Sequence, residues 1–163
     1  MPSKIDFDAD AATRCSFDEF TPWVPWAERG HLKELKWAYA VATYPGVYLL
    51  GKFDRGAPEG PADYLTPGVV YVGEARNLGR RWSQFEDSAF RAMPGHSGGW
   101  SYRLKYGADA SSLYVAALPI WFGDDKHVSA EDWTQAYRLY VERRIVWEIA
   151  VVRKGAHGLL NRK

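Results

Sequence analysis

Gly46-Val47-Tyr48-Leu49-Leu50-Gly51-Lys52-Phe53 and Gly68-Val69-Val70-Tyr71-Val72-Gly73-Glu74 decide how this chain reads. Both runs are rich in β-branched and aromatic residues, the first bounded by Pro45 and by Asp54-Arg55-Gly56, so each reads as a strand. Alternation puts Val47, Leu49 and Phe53 on one face of the first and Tyr48, Leu50 and Lys52 on the other. On the second it groups Val69, Tyr71 and Gly73. The residues between, 54 to 67, hold three prolines and two glycines, which makes them a long loop and not a tight hairpin turn.

The second run passes directly into a helix. Asn77 suits an N-cap, and Leu78, Trp82 and Phe85 recur at i, i+4 and i+7, the stripe of a helix packed on a sheet. Arg81 lies on that stripe. A guanidinium there either snorkels to the rim or is held inward by something anionic, and a tyrosine-bearing strand end just before it adds weight to the second reading. Two tyrosines on adjacent strands and this arginine could converge on one anionic group, read here as a phosphodiester.

Further along, residues 93 to 107 are glycine-rich and then alternate aromatic with basic residues, with His96 in pliable loop backbone where it can approach a ligand. Leu113 to Phe122 reads as a third strand and 123 to 132 as a loop. A long helix is expected from Ala130 to Arg153, with Ser129 as N-cap, Glu131 and Asp132 favouring its dipole, and Val141, Ile145, Ile149 and Val152 as its core stripe. At roughly 100° per residue, Glu142 projects within about 20° of Ile149 and borders the buried face, as Glu148 does from the other side. Such a carboxylate is a salt-bridged one or a metal ligand facing a cleft. Gly155 closes the helix, and Leu159 and Leu160 pack back.

Upstream, residues 1 to 20 are polar and acidic, the first dozen expected to be loose; Pro22 and Pro25 forbid a helix start before Pro25, which itself suits a first helical position, and a short helix follows, ending in an extended approach to Pro45. Length fits one domain. Cys15 has no partner for an internal disulfide, the N-terminus carries no signal-peptide pattern, and the longest apolar run is far short of the roughly 20 residues a membrane helix needs. A soluble protein of the cytoplasm is the expectation, without membrane or disulfide-linked partner. Net charge is +1, so bulk charge does not mark a nucleic-acid binder; residues 76 to 105, however, hold six bases against two acids, among them Arg76, Arg80 and Arg81.

Taken in order, Gly46-Val47-Tyr48, Tyr71-Val72-Gly73, Asn77-Leu78 with Arg81, Glu142 and Asn161 resemble the GIY-YIG nuclease domain, across roughly residues 45 to 163. The resemblance implies an α+β fold, a small three-stranded antiparallel sheet flanked by helices, preceded by a partly helical N-terminal extension over 1 to 44. It implies cleavage of DNA phosphodiesters with Mg²⁺ or Mn²⁺. Tyr48 and Tyr71 would be the paired tyrosines, Arg81 the arginine, Glu142 the metal ligand with Glu148 as second choice, and Asn161 the late asparagine, holding a phosphate or pinning the cleft wall. Lys52, Arg76, Arg80 and Asn161 are the expected nucleic-acid contacts. Phe85 stands where many members have a histidine, so that role passes to His96 or is absent. Which tyrosine deprotonates water stays open, Tyr48 slightly ahead. Two other readings compete: a non-catalytic nucleic-acid-binding module on the same scaffold, and a small restriction-type endonuclease in which the N-terminal residues and the 54 to 67 loop add sequence contacts.

Overall fold

A computed structural model describes residues 19–32, 41–120, 130–155 and 158–161. The loose N-terminal dozen, Cys15, most of the expected helix after Trp26, the last two residues of the expected third strand, and the expected 123 to 132 loop up to its Ser129 cap lie outside the described residues, whereas 130 to 132 already belong to a helix. Among the described residues the strands are β1 (Val24–Pro25), β2 (Gly46–Lys52), β3 (Val69–Ala75) and β4 (Leu113–Pro119). They form one antiparallel sheet in the order β1-β4-β2-β3. Three helices, α1 (Leu78–Phe90), α2 (Ser97–Tyr106) and α3 (Ala130–Val152), complete an α+β fold. None of the described helices is long and apolar enough to cross a membrane.

The sheet therefore has four strands where three were expected. The extra one is only two residues long, paired through Val24 with Val115 and Pro25 with Tyr114, and its proline is tolerated because it lies on an edge. With it, Phe20, Trp23 and Trp26 enter the core. Central β2 is buried from Gly46 to Gly51, so both of its faces carry core. Val47 and Leu49 face Ile145 and Ile149 of α3, whereas Tyr48 and Leu50 face Leu78, Trp82 and Phe85 of α1.

Strand β3 departs from simple alternation. Leu50 pairs with Tyr71 but Gly51 pairs with Val69, so Val70 is an extra, bulged residue. Val69 consequently lies in the α3-side core and Tyr71 in the α1-side core, which separates two residues expected on one face. The bulge has its own partners: Leu160 N–H donates to Val70 O at 2.7 Å, and Arg153 Nη2 caps Thr66, Pro67 and Val69 carbonyls at 3.1, 3.1 and 2.9 Å. The returning tail covers an edge that would otherwise offer unpaired backbone groups.

Helix α1 starts as expected, Asn77 Oδ1 accepting from Arg80 N–H at 2.8 Å. Helix α2 occupies the glycine-rich stretch that read as loop. In α3 the buried positions are Thr134, Arg138, Ile145 and Ile149, with Val141 half-buried; Val152, expected in the core stripe, is exposed at the helix end. Arg138 is inward because it pairs with Glu74 of β3 at 2.7 Å.

Candidate functional site

Tyr48 and Gly73 are directly opposed in the β2–β3 register. A Cβ on Gly73 would fall 2.5 Å from Tyr48 Cζ, so the missing side chain is the space the phenol occupies. The ring lies 5.8 Å from that of Tyr71 and edge-on to Trp82. Tyr71 is itself covered by Gly98 of α2, whose Cβ would meet its ring at 2.5 Å. Glycines on a strand and on a helix thus allow two phenols to be clasped between sheet and helix layer.

His96 reaches the same point from α2. It is the N-cap of that helix, its Nδ1 accepting from Gly99 N–H at 3.1 Å, and its own N–H donates to Ser88 Oγ at 3.0 Å. Gly99 has no room for a Cβ, which would sit 2.7 Å from Ser88 Cβ. Because Nδ1 is an acceptor, the neutral ring carries its proton on Nε2, and Nε2 lies 3.0 Å from Tyr48 Oη. The ring therefore donates to the phenol oxygen. Burial, and secondarily the Arg81 charge, lower His96 to about 3, so it is neutral at ordinary pH. Phe85 packs edge-on against it at 5.4 Å, filling the position where a histidine was considered.

Arg81, half-buried on α1, donates to Gln84 Oε1 at 3.1 Å, and its charge is near enough to both phenols to favour their anions. After burial, the neighbouring Tyr71 is the next cause that raises Tyr48. Burial pushes both phenols up, Tyr48 furthest because it is 0% exposed against 7% for Tyr71. Arg81 opposes burial at Tyr71, and the Glu142 carboxylate, near enough to be felt, adds to it. His96 thus donates to Tyr48, and Tyr71, packed against Tyr48, is the phenol at the carboxylate end.

Five expected site residues, Tyr48, Tyr71, Arg81, His96 and Glu142, are accordingly brought together. Arg76 and Arg80 join Arg81 in a cleft of about 700 Å³ that also includes Gln84, Glu74 and Arg138. Arg76 meets Glu131 in an exposed ion pair at 2.5 Å, a contact of little energetic weight. Lys52 faces the same side of the sheet as Tyr48 but is four residues, about 13 Å, along the strand. There its ammonium lies over the Tyr102 and Tyr106 rings, 3.4 Å from Tyr102 Oη. Asn161 lies on the β3 edge, Oδ1 accepting from Val72 N–H at 3.0 Å and Nδ2 donating to Val72 O at 2.6 Å. It pins the wall behind Tyr71.

Glu148 is engaged elsewhere: Tyr64 donates to one oxygen and Arg144 Nε to the other at 3.0 Å. Burial pushes its carboxyl up, but those bonds prevail and hold it below the usual range. The same contact raises Tyr64 to about 12, burial being the larger cause. Among the described residues no three His, Cys, Asp or Glu side chains gather as a metal cage. A divalent ion here would rest on Glu142, a hard oxygen donor whose charge is felt at Tyr71, and a single carboxylate suits Mg²⁺ or Mn²⁺ holding further oxygens from water or substrate.

Sequence reasoning missed Ser88, Gly98 and Gly99 as supports of His96, and the Glu74–Arg138 pair on the cleft wall. Asn77-to-Gly99 spacings carry no periodic mark of that contact. Compared with protein-family models, with curated proteins and with solved structures, the chain matches none.

Proposed function

We propose that the chain is a metal-dependent endonuclease of the GIY-YIG type, hydrolysing phosphodiester bonds in DNA. One observation carries this reading: both phenols, the Arg81 guanidinium, neutral His96 and Glu142 occupy one site that opens beside an arginine-lined cleft. Structural ion pairs and cross-strand tyrosines account for any two of these residues; they give no reason for a buried histidine to donate into a phenol pair next to a carboxylate.

In this reading Arg76 and Arg80 hold flanking phosphates and Arg81 presents its planar donor fork to the phosphoryl oxygens. Bound at Glu142, a divalent ion supplies positive charge that offsets the carboxylate's effect on Tyr71 and neutralises phosphoryl oxygens. Tyr71, less buried than Tyr48 and beside the Arg81 charge, is then the phenol better able to exist as phenolate. It takes the proton of a water whose oxygen bonds to phosphorus, while the bond from phosphorus to the leaving oxygen breaks and the leaving group is protonated from solvent. Tyr48 and His96 act behind it, held in place by the hydrogen bond between them. This reverses the slight preference for Tyr48, because Tyr48 has no exposed surface through which to meet water.

Incubation of supercoiled plasmid with the chain and Mg²⁺ or Mn²⁺ tests the reading: nicked circles are expected. Retention of labelled DNA with no cleavage across both metals and several DNA structures would instead identify a binding module. Discrete fragments from a defined DNA would place the enzyme with the restriction type. The 54 to 67 loop, however, is tied through Tyr64 to Glu148 and through Ala62 to Thr21, on the side of the sheet away from Arg81.

A further inference from the structure

Among the described residues only Arg138 carries a full charge while buried, at 6% exposure. Its Nε donates to Glu74 Oε2 at 2.7 Å, and no second hydrogen bond among the described residues engages the guanidinium. A guanidinium has five N–H donors, so both Nη groups are left over. They are not sealed in: the buried side-chain nitrogens without a partner are the indole nitrogens of Trp23 and Trp82, and Arg138 lines the arginine cleft. A buried ion pair that serves only to tie α3 to β3 is favourable when its remaining donors are satisfied too, because taking both charges out of water is costly. Here the end-on pair of donors stays open toward a basic cleft.

The α1 side of that cleft is basic as well. It carries Arg80 and Arg81 from the first turn of α1, Arg81 bonded to the neutral Gln84, and Arg76 just before it, paired with Glu131. Glu74 is the one carboxylate lining the cleft against four guanidinium groups, an excess of positive charge that suits an anion lying between α1 and α3. We propose that Arg138 is a further phosphate-binding residue, its Nη fork taking the phosphate next to the scissile one, with Glu74 as the positioning residue that fixes the fork through Nε. The choice of a DNA phosphate rests on the nuclease reading given above. Arg138 precedes Glu142 by four residues on α3, so the two lie on one face with about 5–6 Å between their Cβ atoms, the scale of one step along a phosphodiester backbone. A strand whose scissile phosphate lies at Tyr71 and Glu142 then presents the neighbouring phosphate to Arg138 from α3 and to Arg80 from α1. A planar fork already held at one nitrogen gives up little freedom when it binds, which an ammonium on a flexible stem cannot match.

Fluorescence anisotropy of labelled duplex DNA, titrated with the full chain in EDTA over a range of KCl, tests this without requiring cleavage. Arg138→Lys keeps a positive charge and a donor for Glu74 but loses the fork. The double variant Glu74→Gln/Arg138→Gln removes both charges, so that neither is left buried and unpaired. Each is expected to keep the wild-type far-UV circular dichroism, to reduce the salt slope of the binding constant by about 0.9, the share of one phosphate contact, and to weaken binding by about tenfold at fixed salt. Arg138→Lys decides alone if the double variant does not fold. Neither variant changes the net charge, so a merely structural ion pair predicts the wild-type slope in both, and that result overturns the proposal. The two readings fail separately: a lowered slope without plasmid nicking in Mg²⁺ or Mn²⁺ keeps Arg138 as a phosphate contact and removes the nuclease, whereas nicking with an unaltered slope does the reverse. Wild-type protein that binds no DNA overturns both.

Discussion

Gly73 faces Tyr48 across β2 and β3, and the phenol occupies the volume a Cβ would need. Gly73→Ala should therefore push the Tyr48 ring off its rotamer and away from His96. Overpacking of this kind costs about 1–3 kcal/mol, readable as a lower urea midpoint, and misplacement of a site by about 1 Å lowers rate by about a hundredfold. Unchanged stability and cleavage in Gly73→Ala would contradict the steric account.

His96 should resist protonation. Its folded pKa lies below its unfolded one, so it contributes stability that is complete above about 6.5 and is lost as pH falls from there toward about 3. Long-range ¹⁵N spectra at pH 6 should show His96 neutral with the proton on Nε2, and His96→Gln should melt with a shallower pH dependence between 6.5 and 5. A His96 that titrates near 6.5, or carries its proton on Nδ1, contradicts the assigned donor role.

Ser88 supports that ring through the His96 backbone. Ser88→Ala leaves a buried N–H without its acceptor, which costs about 1–3 kcal/mol. The same ¹⁵N spectrum should show broadened His96 resonances while the other histidines are unmoved. Loss of stability with an unaltered His96 spectrum would make Ser88 merely a packing residue.

Much of the candidate site was legible because its residues sit on elements whose periods are strong. Strand alternation aimed Tyr48, the Leu78–Trp82–Phe85 stripe aimed Arg81, and α3 aimed Glu142. What stayed hidden depends on partners far away in sequence. The Val70 bulge is stabilised by Leu160 and Arg153, so period two alone put Val69 beside Tyr71. Helix α2 was obscured by Gly98 and Gly99, each unfavourable in a helix by about 1 kcal/mol yet required for close approach to Tyr71 and Ser88. Lys52 was placed on the right face, but its distance along the strand and its aromatic neighbours were not visible.

Asn161 and Arg80 should separate wall from groove. Asn161→Ala removes two bonds to Val72 and should lower stability by about 1–3 kcal/mol while leaving the salt dependence of DNA binding unchanged. Arg80→Ala should leave stability near wild type and reduce that salt slope by about 0.9. The opposite pattern would return Asn161 to the phosphate.

Cleavage by Arg81→Ala, Glu142→Gln and the double variant tests the central claim most directly, with supercoiled plasmid, Mg²⁺ and matched folded protein. Groups that act as one site are non-additive, so each single change should lower the nicking rate by about a hundredfold or more and the double should be little worse than the weaker single. Nicking at the wild-type rate in both single variants would contradict a phosphodiester site at Tyr48, Tyr71, Arg81, His96 and Glu142.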